Sequence, residues 1–190
     1  MLNLNAWFEK GMTGQEYIAS MKTNQENLQA IYKKYQVPEK DRAFYEEFSG
    51  KGLRGIVLTA DWCGDAMLCV PILMRIAEVA AIDMRYLIRD ENLELMDQYL
   101  TNGKSRAIPI FIFIDKDGQE QAVWGPRSPE VQKLIDEMRS TLPSKESPDF
   151  EEKQKEVYHT FHNKILTEQS LWESVNRSVR ERFENTMQTN

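Results

Sequence analysis

The stretch Ala60-Asp-Trp-Cys-Gly-Asp-Ala-Met-Leu-Cys-Val-Pro71 joins a strand pattern to a helix pattern and sets a cysteine at the junction. Before it, Leu53 to Thr59 is a short, mostly apolar run with β-branched members, as a buried strand requires. After it, Met67 to Ala81 is a long apolar stretch rich in helix formers and interrupted by Pro71. Asp83 to Ile88 reads as the next strand and Asn92 to Leu100 as a polar-faced helix. Strand, helix and strand in so short a span form a βαβ unit, which implies parallel strands and a right-handed crossover.

Cys63 therefore stands at a helix N-terminus. Unpaired amides and the partial positive charge of the helix favour a thiolate there, the form that attacks disulfides. Asp61 and Asp65 oppose this by raising the thiol pKa, while Arg106 and Arg127 lie in loops expected to approach the thiol and offset them. The sequence leaves the sum of these terms open. Cys69 is no disulfide partner. Six residues along a helix is about 9 Å of rise, and the side chain is turned about 120° away, whereas a disulfide needs α-carbons within about 7 Å. Cys69 reads as a small buried apolar side chain.

Further along, Ile110 to Ile114 is nearly pure Ile and Phe, and Lys116-Asp-Gly118 supplies turn chemistry. Gln121 to Trp124 is predicted to return antiparallel. Ser128-Pro129-Glu130 places a cap residue and a proline at the start of a helix running to about Leu142. Upstream, Gly11 to Lys34 reads as one helix opened by a Thr13/Glu16 capping box, and Glu39 to Phe48 as a shorter one. Downstream of a polar linker at residues 143–147 the pattern is purely helical. Val157, Phe161 and Ile165 recur every four residues; Ser170 and Glu173 read as a second capping box before the stripe Leu171, Val175, Val179 and Phe183. Packing of this stripe on the domain is the preferred reading, with a homodimer or partner surface as the alternative. The organisation is thus a helical segment at 1–52, a core at 53–142, and a linker with a helical extension at 143–190.

The 190 residues carry a net charge of −6 and are 41% apolar, which supports a real core and argues against a general nucleic-acid binder. No run is long and apolar enough to span a bilayer, and no secretory leader is visible at the amino terminus, so a cytoplasmic protein is expected. Two cysteines and two histidines without clustered spacing point to no metal site. His159 and His162 read as solvated residues of a polar helix. No cofactor is expected.

The residues around Cys63 resemble thioredoxin. Trp62-Cys63-Gly64 matches the family's active-site tryptophan, nucleophile and glycine, and Pro71 stands where thioredoxins carry the proline that bends this helix. Arg106-Ala-Ile-Pro109 looks like the loop holding the family's cis-proline, and Gly125 falls where the family has a glycine beside the substrate groove. The resemblance covers about Leu53 to Leu142 and implies a thioredoxin-like mixed sheet flanked by helices, here with helical extensions at both ends. It also implies a groove lined by Trp62, Gly64, Asp65, Arg106, Ile108, Pro109 and Gly125. Three departures accompany it: Ala66 takes the place of the second cysteine, Asp65 that of the intervening proline, and Val57 that of the buried acid serving the second thiol.

Two functions follow as expectations. In the first, Cys63 is a monothiol that attacks disulfides or S-thiolated cysteines, on proteins or small thiols, and an external thiol resolves the intermediate. The retention of Trp62, Gly64 and the helix-start position beside the cysteine favours it. In the second, the chain is a redox-inactive binding module using the cis-proline groove and the C-terminal helices.

Overall fold

The structure, a computed structural model, describes residues 2–187. Helices α1 (Leu4–Lys10), α2 (Gly14–Ser20), α3 (Gln25–Lys34) and α4 (Glu39–Glu46) precede strand β1 (Arg54–Thr59). Then come α5 (Gly64–Ala80), β2 (Asp83–Ile88), the short α6 (Leu93–Met96), β3 (Ile110–Ile114) and β4 (Glu120–Trp124). Helices α7 (Pro129–Ser140), α8 (Phe150–Thr167) and α9 (Gln169–Met187) complete the described chain. The sheet order is β2-β1-β3-β4, with β1 parallel to β2 and antiparallel to β3, and β4 antiparallel to β3. This is the α/β mixed sheet flanked by helices that the strand and helix patterns predict.

The two central strands are buried along nearly their whole length because helices cover both faces. Phe113, on one face, meets Phe183 of α9 edge-on at 4.9 Å between ring centroids. Arg54 alternates to the other face, where its guanidinium lies 4.9 Å from the Phe8 ring of α1. The stripe Leu171, Val175, Val179 and Phe183 is buried in the chain's own core. Trp124 Nε1 donates to Ser178 Oγ at 2.9 Å, and the Ser128 and Ser174 hydroxyls pair at 2.8 Å, fixing α9 against β4 and the start of α7. The N-terminal helices join the same body. Asp41 of α4, only 4% exposed, accepts from Asn176 Nδ2 at 2.8 Å and pairs with Arg180.

Three local expectations are corrected. The helix expected over 11–34 is two helices, because the Asp61 carboxylate accepts from the Lys22 and Thr23 amides (2.9 and 3.3 Å) and Asn24 turns left-handed at φ 62°. The helix expected over 92–100 is a single turn, α6, since burying Leu95 and Met96 leads at once into the reversal at Thr101 and Ser105. Helix α9 begins at Gln169, so Ser170 lies inside it and is not its cap.

Candidate functional site

Strand β1 runs into a tight turn, with the Cys63 amide donating to Ala60 O at 3.3 Å, and Cys63 itself caps α5. Its Sγ accepts the Ala66 amide at 3.4 Å and donates to Ile108 O at 3.5 Å. The thiol is 8% exposed. Burial pushes its pKa up to about 11, the Asp65 charge adds to this, and the amides of Ala66 and Asp65 together with Arg127 only partly offset it. The competition left open by the sequence is therefore won by desolvation.

Asp65 lies in the first turn of α5, and Arg127 grips its Oδ2 through Nη2 at 2.8 Å and Nε at 2.9 Å. Burial still raises the Asp65 pKa, and its Oδ1 has no hydrogen-bond partner among the described residues. Arg127 thus approaches the thiol as expected, through Asp65. Arg106 does not. It forms a bidentate pair with Asp97 (2.7 and 3.0 Å), whose carboxyl it holds below the ordinary range. The Arg106 carbonyl instead accepts from Arg89 Nη1 at 3.1 Å, and the Arg89 guanidinium lies 4.8 Å from the ring of the exposed Trp62. Asp61, expected to act on the thiol, is committed to the 22–24 turn.

The Ile108–Pro109 peptide is cis, and Gly125 lies directly across from Pro109. At φ 127° Gly125 adopts a backbone that side chains disfavour, and a Cβ there would stand 2.2 Å from Pro109 O. Cys69 is fully buried, its pKa raised by desolvation and its Sγ 3.7 Å from Pro126 O; both thiols are free.

Local patterning did not reveal the cover over this turn. Helix α8 lies across Gly64, where an added Cβ would come within 3.0 Å of His162 Nε2 and 3.6 Å of Phe161. His162 is half-buried rather than fully solvated, and desolvation lowers its pKa, with His159 adding to the effect. Between the Cys63 turn, the end of α7, the 142–145 loop and α8 lies a pocket of about 850 Å³. Trp62, Cys63 and Asp65 line it from the turn; Met138 and Arg139 from α7; Phe150, Val157, Tyr158, Phe161 and His162 from α8. The one available signal was that Tyr158 and His162 widen the stripe of Val157, Phe161 and Ile165 by one position. Among the described residues, no group of three or more His, Cys, Asp and Glu side chains is placed to hold a metal. Nor is any helix among them long and apolar enough to cross a membrane.

A family model described as thioredoxin matches residues 11–139. The chain belongs to the thioredoxin family. Among solved structures, a protein of unknown function from Pseudomonas aeruginosa matches with 14% identity and a TM-score of 0.67, over 97% of this chain and 99% of that one. An HIV epitope-scaffold matches with 13% identity and a TM-score of 0.67, over 97% and 99%. These likenesses show the fold, helical flanks included. A thioredoxin from Fasciola hepatica is 26% identical over 44% of this chain and 75% of its own, with a TM-score of 0.32. Among curated proteins, none matches at a significant level.

Proposed function

We propose that this thioredoxin-family protein is a binding module, holding its ligand between the Cys63 turn and the C-terminal helices. The observation that carries the reading is the seat of α8 on Gly64. It gives the open end of the fold a wall, beside a Cys63 that is 8% exposed. Burial pushes the Cys63 pKa up to about 11, which favours the protonated thiol at neutral pH and weakens it as a nucleophile. Ala66 and Val57 supply neither a resolving thiol nor a buried acid. Cys63 then serves as a hydrogen-bonded packing group of the pocket floor.

One contact favours a second reading, a monothiol oxidoreductase. The Ala66 amide aimed at Sγ is the helix-terminal device that stabilises a thiolate. In that reading the Cys63 thiolate attacks a disulfide, forms a mixed disulfide and expels one thiolate. An external low-molecular-weight thiolate then attacks the mixed disulfide and frees Cys63.

Alkylation of each cysteine against pH, resolved by peptide mass spectrometry, separates the two. The binding reading expects Cys63 to react with an apparent pKa at or above the free value of about 8.5. An apparent pKa well below that, with mixed-disulfide reduction lost in Cys63→Ser, would establish the oxidoreductase.

A further inference from the structure

Trp62 and Tyr158 are the large hydrophobic side chains left exposed among the described residues, at 52% and 51%, and both line the pocket beside the Cys63 turn. Two exposed aromatic rings on one concavity offer apolar surface to a ligand, although the Trp62 ring also carries the Arg89 guanidinium at 4.8 Å. Its walls are otherwise mainly apolar. The cations are not equivalent. Arg127 is neutralised by Asp65, whereas Arg139 and Lys145 form no ion pair among the described residues. Glu146, on the same loop as Lys145, turns back to the Ser144 hydroxyl. Desolvation lowers the His162 pKa, which disfavours a charge on that ring. The pocket is therefore an apolar volume with two exposed cations outside any ion pair at one side, Arg139 also within electrostatic reach of Asp65, in a chain whose net charge is −6.

We infer that the pocket holds an apolar carboxylate of small-molecule size, its acyl or aryl body beside Trp62 and Tyr158 and its anionic end at Arg139 and Lys145. This rests on the binding-module reading and names its ligand class. The volume of about 850 Å³ lies within the range of small-molecule sites. Enclosure by α8 suits a compact ligand better than an extended peptide crossing the Pro109 edge.

The test titrates the full chain calorimetrically with decanoate and with decyltrimethylammonium, both below micelle-forming concentration. Decanoate is expected to bind one to one, and the cation of equal chain length about tenfold or more weaker. Arg139→Gln with Lys145→Gln should weaken decanoate about tenfold and leave the cation unweakened; Lys145→Glu alone, on the exposed loop, is the second variant, with far-UV circular dichroism verifying each fold. Equal affinity for anion and cation overturns the ligand class while leaving a binding module. No binding of either overturns the pocket. Tighter binding of an apolar peptide with an amidated C-terminus assigns the site to a peptide. A Cys63 that alkylates with a depressed pKa defeats the underlying reading by a separate measurement.

Discussion

Gly64 and His162 are 98 positions apart in the chain, yet a Cβ on the glycine would stand 3.0 Å from Nε2 of the histidine. The contact is made by the residue that follows the cysteine, so the ring from α8 packs beside the turn that presents the thiol and lines the same pocket. The missing side chain at Gly64 is what lets the helix come so near.

Removing the ring should therefore open the pocket beside the thiol. In His162→Ala, alkylation of Cys63 at pH 8 is expected to rise, since widening the pocket at the turn relieves part of the desolvation that raises the thiol pKa. Cys69, fully buried on the far side of the first turns, should not change. Equal rates in the two proteins would show that α8 is not the barrier.

The same ring gives stability a pH dependence. The folded state lowers the His162 pKa, so the unfolded chain takes up a proton near pH 6.5 that the folded chain resists. The contribution is thus present above about pH 6.5 and lost as pH falls through the folded value. Wild type should lose more Tm than His162→Gln between pH 7.5 and pH 5. Partial exposure of the ring keeps the difference small. Asp65, with its raised pKa, acts in the opposite sense, but it is common to both proteins and cancels. Parallel Tm curves would remove His162 from the account.

Gly125→Ala tests the close approach to Pro109. The positive φ of 127° and the 2.2 Å overlap with Pro109 O leave no low-energy place for a methyl group. A loss of about 3 kcal/mol is expected from the strain and overlap, about 6–12 °C in Tm for a chain of this size. Gly50, with φ 82° and nothing within 4 Å of a built Cβ, is the control. Gly50→Ala should cost only about 1 kcal/mol.

Asp41→Ala tests whether the two flanks fold as one body. The buried carboxylate accepts from Asn176 and pairs with Arg180, and Tyr45 Oη donates to Asn176 Oδ1 at 2.9 Å. Its removal strands the buried Asn176 Nδ2 and breaks the pair with Arg180, and should cost about 2–4 kcal/mol. Urea unfolding should remain a single transition at lower midpoint. A separate early transition confined to α8 and α9 would show an independent appendage.

Local patterning was sufficient for the middle of the chain. The β-branched run before Ala60, the helix formers after Cys63 and the Ile/Phe run at 110–114 each settle their own element, because strand and helix periodicity is a property of neighbouring residues. The resemblance to thioredoxin at Trp62-Cys63-Gly64, Pro109 and Gly125, rather than local patterning, placed the turn and its facing loop. Where a distant group completes a local pattern, the reading failed. The helix over 11–34 breaks because Asp61 supplies hydrogen bonds from outside it. Arg106 turns to Asp97 because an exposed carboxylate within reach takes it before the thiol does.

By itself, then, the sequence determined the βαβ core, the position of Cys63 at a helix start and the absence of a second cysteine beside it. Only the tertiary structure decided that α8 packs on the turn, that Asp65 and Arg127 pair beneath the pocket, and that burial raises the thiol pKa. Those outcomes depend on burial and on charges brought together across more than sixty positions of chain. Desolvation is a sum over everything packed around a group, and no local spacing encodes it.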